Sequence, residues 1–234
     1  MSSELEKFVE QLETVFKDNL KSVVLYGSKA SGEDTKKNSD HNILVILGEV
    51  RFEDMKASSK AVAGWTKQGN PPPLLFTQAM LKESMDVFPI EFQDIKDNNR
   101  ILYGQDLVSG LEIEDVNLRH EVEFELKGKL LKLRQGYMMY AEKDSKIRDL
   151  LVDSISSFLV LFKHTAKLLG RTPPKKKIDA LDALSEKTGL KKQVFLDVFN
   201  MKHGDKNALN LNMEKVMMEY MIEIEKIVKI VNDL

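Results

Sequence analysis

The chain has no cysteine, six prolines and a single tryptophan in 234 residues. Without thiols there can be no disulfide, no Cys-ligated zinc or iron–sulfur cluster, and no thiol nucleophile. No run approaches the ~18 consecutive apolar residues that a membrane-spanning helix needs. The opening residues Met1 to Glu6 are acidic and lack the apolar stretch of a signal peptide. An excess of one charge is also missing: 35 Lys and Arg face 37 Asp and Glu, a formal net charge of -2. No global field therefore draws the chain to nucleic acid, and a polyanion site has to be a local patch. The four histidines, at 41, 120, 164 and 203, show no metal-ligand spacing. These absences lead us to expect a cytoplasmic protein with no membrane partner.

What is present is ordinary globular composition, 42% hydrophobic and 31% charged. Ser3 with Glu6 reads as a capping box opening an amphipathic helix to about Phe16. Val23–Tyr26 and His41–Leu47 read as buried strands, the second too apolar to have a wet face at its C-terminal end. Between them lies a polar loop, residues 27–40. A helix is expected from Arg51 to about Lys67 with Phe52, Met55, Val62 and Trp65 as its buried stripe. Pro71-Pro72-Pro73 forces extended chain into a third strand, Leu74–Phe76, and Thr77 caps a short helix to Asp86. Phe88–Ile95 alternates like a fourth strand, with Pro89 suiting an edge or a strand start.

After Gly104 the period changes. Leu118, Val122, Leu126, Leu130, Leu133 and Tyr137 step by three or four, as do Leu151, Ile155, Phe158, Leu159 and Phe162. Ile178–Lys187, Val194–Met201 and a closing stripe from Met213 to Val231 complete an all-helical half. The fold expected is thus an α/β domain with a mixed sheet over residues 1–108, followed by a helical bundle over 109–234. The run from Arg171 to Lys177, with Pro173, Pro174 and Lys175 at its centre, reads as a solvated loop. The Met-rich stripe Met213, Met217, Met218 and Met221 reads as bundle core or a dimer face, which keeps a homodimer open.

The most informative segment is Leu25-Tyr26-Gly27-Ser28, eleven residues of loop, then Asp40-His41-Asn42 on the next strand. Gly27 has no Cβ, so backbone there can approach a phosphate closely, and Ser28 adds a hydroxyl donor. Lys29 is a further phosphate contact. Residues 40 and 42 share a face because the side-chain period of a strand is two, while His41 points the other way. Glu91, read on a later strand, can reach the same face. Gly27 to Gly32 also matches the first six positions of a P-loop, but Glu33 and Asp34 stand where Lys and Ser/Thr belong. Two carboxylates would repel the phosphates that the lysine holds, so this is not a Walker A site.

With these residues the chain resembles the DNA polymerase β-type nucleotidyltransferase superfamily: a hydrophobic strand, Gly-Ser, a loop, an acidic motif on a second strand, and a third acid elsewhere. Residues 20–104 carry most of the likeness. The helical half behind them is similar to that of small bacterial aminoglycoside-nucleotidyltransferase-type members. The resemblance implies Mg²⁺ held by Asp40, Asn42 and Glu91, with Asp40 and Glu91 as the catalytic carboxylates, and a nucleotide triphosphate on Gly27, Ser28 and Lys29. It implies transfer of a nucleoside monophosphate to a hydroxyl on a small molecule, protein or RNA. Asn42 stands where the family has its second aspartate, and a neutral amide is a weaker ligand for a hard cation. A catalytically degenerate nucleotide-binding regulator and an antitoxin-like binding module are the alternative expectations.

Overall fold

The computed structural model describes residues 3–32, 40–172 and 176–234. The chain divides into two compact units, residues 1–114 and 115–234; the boundary expected from sequence lies six residues earlier. No described helix is long and apolar enough to cross a membrane.

The N-terminal unit is built on a four-stranded sheet, β1 (Leu20–Tyr26), β2 (Asn42–Leu47), β3 (Leu74–Thr77) and β4 (Asn99–Gly104), in the order β3-β2-β1-β4. β1 pairs antiparallel with β2 and β4, whereas β2 and β3 are parallel. Parallel neighbours need a crossover, and helix α3 (Phe52–Thr66) supplies it. One face of the sheet packs on α3 and on α1 (Ser3–Phe16) through Leu5, Phe8, Leu12, Val23, Leu25, Val45 and Trp65. The Trp65 ring stacks on Phe8 with centroids 4.3 Å apart, and its indole N–H donates to the Pro71 carbonyl at 2.9 Å. The other face buries Val24, Leu44 and Ile46 under Leu81, Phe92 and Ile95. Both faces are covered, which explains the unbroken apolar runs Val23–Leu25 and Ile43–Leu47 in β1 and β2.

Three expectations need correcting. Residues Phe88–Ile95 do not form a strand: Pro89–Asp97 is helix α5, and the fourth strand is β4, immediately after it. Pro89 occupies the first turn, where its missing N–H costs nothing and its φ suits a helix. Pro89, Phe92 and Ile95 then recur every three residues on the buried side. In α3 the inward face is Ser58, Ala61 and Trp65, while Phe52 is 72% and Met55 43% exposed. Small Ser58 and Ala61 let α3 approach α1 closely, Trp65 fills the end of the contact, and Phe52 and Met55 are left outside. Thr77 does cap a helix, α4 (Gln78–Glu83), accepting from the Met80 N–H at 3.1 Å, but that helix ends three residues sooner than expected.

The C-terminal unit consists of α6 (Asp115–Tyr140), α7 (Asp144–Leu168), α8 (Ala180–Thr188), α9 (Gln193–Lys202), a short α10 (Lys206–Leu209) and α11 (Met213–Asn232). Its centre is an aromatic cluster of Phe158, Phe162, Phe195 and Tyr220, with successive ring centroids 5.0 to 6.1 Å apart. In α6 the inner stripe closes with Gly136, not Tyr137; an added Cβ at Gly136 would stand 2.8 Å from the Leu150 methyl groups, so α6 and α7 pack closely there. Met213 and Met217 are core, whereas Met218 is 51% exposed.

Tyr220 is buried with its hydroxyl 3.0 Å from Ser154 Oγ, and burial raises its phenol far above the ordinary value of 10.0. A raised folded-state pKa means that the stability tied to the neutral phenol is fully present below the unfolded value and lost above it. Stability of this unit should hold up to about pH 10 and fall beyond it. Denaturant midpoints at rising pH will check this, and Tyr220→Phe should flatten the alkaline decline.

Candidate functional site

The candidate site lies where β1 and β2 meet the Gly27 turn. Tyr26, the last residue of β1, is paired with Asn42 on one side and Asn99 on the other. Gly27 follows at φ +77°, a conformation that side chains rarely adopt. Its N–H donates to the Asn98 carbonyl at 3.2 Å and its carbonyl accepts from the Ala30 N–H at 2.9 Å, which starts the one-turn helix α2 (Ser28–Ser31). The Gly27 amide is therefore directed at the α5–β4 junction, not outward to a ligand. What the missing side chain provides is room, since a Cβ would stand 3.1 Å from the Asn42 amide nitrogen.

Asn42 and Tyr26 are directly opposite on neighbouring antiparallel strands and so share a face of the sheet. Val24 and Leu44 continue that face beneath α5. His41 is held on the other side: its N–H donates to Asn70 Oδ1 at 3.0 Å, and its ring lies tilted 5.8 Å from Trp65. Asp40 precedes the strand and is exposed. Glu91 is exposed too, in the first turn of α5, and not on a strand as expected. It nevertheless approaches the end of β1. The half-buried Tyr26 phenol is raised above its ordinary value, first by burial and then by the negative charge of Glu91. Ser28 and Lys29 open α2 directly after Gly27.

Two residues join this set that sequence reasoning did not single out. Tyr26 places a half-buried phenol at the end of β1, within the field of the Glu91 carboxylate. Arg100 pairs with Leu25 across β1 and β4 and so lies on Leu25's face of the sheet, opposite to that of Tyr26 and Asn42; it is exposed, and its side chain makes no hydrogen bond or ion pair among the described residues. An unpaired guanidinium on the strand beside the Gly27–Ser28 turn is a natural phosphate contact. Neither could be found without knowing that β4 lies against β1.

Among the described residues no three carboxylates or imidazoles cluster as a metal cage. Asp40 and Glu91 with one amide do not make an all-protein site. Carboxylates of this kind are the donors through which Mg²⁺ commonly binds when substrate phosphates complete its shell.

No protein-family model and no curated protein sequence matches the chain. Among solved structures it is similar to a spectinomycin adenyltransferase from Enterococcus faecialis, crystallised with ATP and spectinomycin. The TM-score is 0.57 and the identity 16%, over 95% of this chain and 98% of that one. At such identity the shared property is the fold. It is a nucleotidyltransferase-like α/β unit with a mixed sheet, followed by a helical unit, as the sequence led us to expect.

Proposed function

We propose that the chain binds a nucleoside triphosphate at the Gly27 turn and transfers its nucleoside monophosphate to a hydroxyl-bearing acceptor. The observation that carries this reading is the glycine turn packed against the Asn42 amide, with Asn42 opposite Tyr26 at one end of the sheet; the Glu91 charge acts on the same Tyr26 phenol. Support comes from the fold, shared with a protein solved with ATP. Ser28 and Lys29 hold the β- and γ-phosphates, with Arg100 as a second cation. Asp40 and Glu91 are the carboxylates that take Mg²⁺, and Asn42 contributes a neutral oxygen. Bound Mg²⁺ supplies charge neutralisation and polarises the phosphoryl oxygens. The acceptor hydroxyl gives up its proton to solvent as its oxygen attacks the α-phosphorus in line, the bond to the α–β bridging oxygen breaks, and pyrophosphate leaves. Positioning and electrostatics do most of this work. The acceptor crystallised with the neighbour makes a small polyhydroxylated molecule the first class to test.

Asn42 favours a second reading, in which nucleotide is bound without turnover and the chain acts as a regulator. Thermal melts with Mg²⁺ and each nucleoside triphosphate separate the two. A ligand that binds only the folded state adds about 2.7 kcal/mol at a hundred times Kd, a rise of several degrees for a domain of this size. Asn42→Asp is isosteric and should enlarge the Mg²⁺-dependent rise while lowering the melting temperature without metal, because the new carboxylate faces others. Stabilisation of both proteins with turnover by wild type supports transfer; stabilisation without turnover supports the regulator. No shift in either protein with any nucleotide would remove both.

A further inference from the structure

Helix α6 carries two apolar stripes. The inner one, Leu118, Val122, Leu126, Leu130 and Leu133, is buried against its neighbours. The other lies on the opposite side of the helix: Phe124 is 74%, Leu131 56% and Met138 75% exposed. These three are seven residues apart, and Gly128 and Gln135 fall between them with four-three spacing. That is the a/d spacing of a coiled-coil seam, and it runs along a helix of 26 residues, about 39 Å long. A single solvated stripe of this kind has no role in folding the chain, because the helix already buries its other side.

We propose that this face pairs with the same face of a second copy as an antiparallel two-helix seam about a twofold axis. Three observations choose that occupant. The first is shape. Gly128 sits mid-helix with nothing within 4 Å of the place its Cβ would take. A mid-helix glycine costs about 1 kcal/mol relative to alanine, and in the antiparallel register it forms the hole that receives Leu131 of the other copy. A twofold axis makes that contact twice.

The second observation is charge. The antiparallel register sets Glu125 of each copy beside Lys132 of the other. Lys132 is exposed and has no partner among the described residues, and Glu125 makes only an i,i+4 pair with Lys129. A parallel register would instead bring Lys127 against Lys132. On the far flank Lys127 and Arg134 are already paired within the chain, with Glu123 and Glu225.

The third observation is area. Phe124, Leu131, Met138 and the neighbouring Met139, itself 69% exposed, present roughly 550 Å² of side chain. That is near the upper end of apolar patches on monomers and well over half of the ~800 Å² per partner in a standard interface. This surface is not the one first expected. Of the α11 methionines that suggested a dimer face, Met213 and Met217 are core, Met218 is exposed and Met221 half-buried.

Analytical ultracentrifugation of the full chain at tens of micromolar tests the proposal. The expected mass is twice the 26.7 kDa chain. Leu131→Lys, and independently Met138→Glu, should give monomers with unchanged helical circular dichroism, since both sites are exposed, and with a melting temperature that no longer depends on protein concentration. Glu125→Lys and Lys132→Glu should each weaken the dimer at least tenfold, and combining them should restore it. A monomeric wild type would overturn the proposal, as would a dimer that survives Leu131→Lys. Single charge reversals that leave the dimer as tight as wild type would overturn the antiparallel register.

Discussion

Gly104→Ala is expected to destabilise the N-terminal unit by at least ~3 kcal/mol, the largest effect of any glycine substitution in the chain. Gly104 ends β4 at φ +75°, where a side chain costs roughly 1 kcal/mol or more through backbone strain alone. An added Cβ would also stand 2.1 Å from the Lys21 carbonyl oxygen, 2.9 Å from its carbon and 3.2 Å from Ser22 Cα. All three are backbone atoms, so no rotamer change relieves the clash. Relief requires β4 to move away from β1, which strains the Ser22–Gly104 pairing and the Gln105 N–H bond to the Lys21 carbonyl, now 3.1 Å. Urea unfolding provides the measurement, with Gly69→Ala as the control. Gly69 is also at positive φ, +89°, but has open space where a Cβ would stand. It should show the conformational cost without the clash. A Gly104→Ala protein within 1 kcal/mol of the Gly69→Ala protein would show that the β1–β4 edge is soft.

The second large effect is on function. Asp40→Asn should lower nucleotidyl transfer by roughly 10²–10³-fold, the usual cost of losing one preorganised electrostatic contact to the transition state. It should also abolish most of the Mg²⁺-dependent thermal shift. The reasoning is a count of charges. Asn42 is already neutral, so removing the carboxylate at position 40 leaves Glu91 as the only anion of the set. One carboxylate beside one or two amides is a poor partner for a hard cation. The substitution is isosteric and position 40 is exposed, so the fold should be unaffected. Asp86→Asn, at another exposed carboxylate, is the control. Full activity in Asp40→Asn would take Asp40 out of the site and move attention to Glu91 and Tyr26.

What could be read from sequence followed how local each feature is. β1 and β2 were legible because burial on both faces gives each an unbroken apolar run, Val23–Leu25 and Ile43–Leu47. β4 was not: Asn99-Arg100-Ile101-Leu102-Tyr103-Gly104 is an edge strand with half-buried and exposed positions, too weakly patterned to stand out. α5 was misread because Phe88, Ile90 and Phe92 alternate like a strand while Pro89, Phe92 and Ile95 also fit a helix. A stretch this short carries both periods, and tertiary packing decided between them. The Gly27–Asn42 half of the candidate site was legible because it lies on adjacent strands joined by one loop. The approach of Glu91 to Tyr26, the bond from Gly27 to Asn98 and the position of Arg100 all depend on β4 folding back on β1 from more than 70 residues away. In the helical unit the buried stripe of α6 is the stronger pattern, and the outer one is set apart from an ordinary solvated face only by the exposure of Phe124, Leu131 and Met138.

Trp65 gives the chain an optical property. It is the only indole in the protein, its ring is stacked on Phe8, and His41 lies within quenching range at 5.8 Å, one residue from Asp40. Emission from this fluorophore is therefore tied to the backbone at the start of β2, and a change at that strand end reaches the detector without any attached dye.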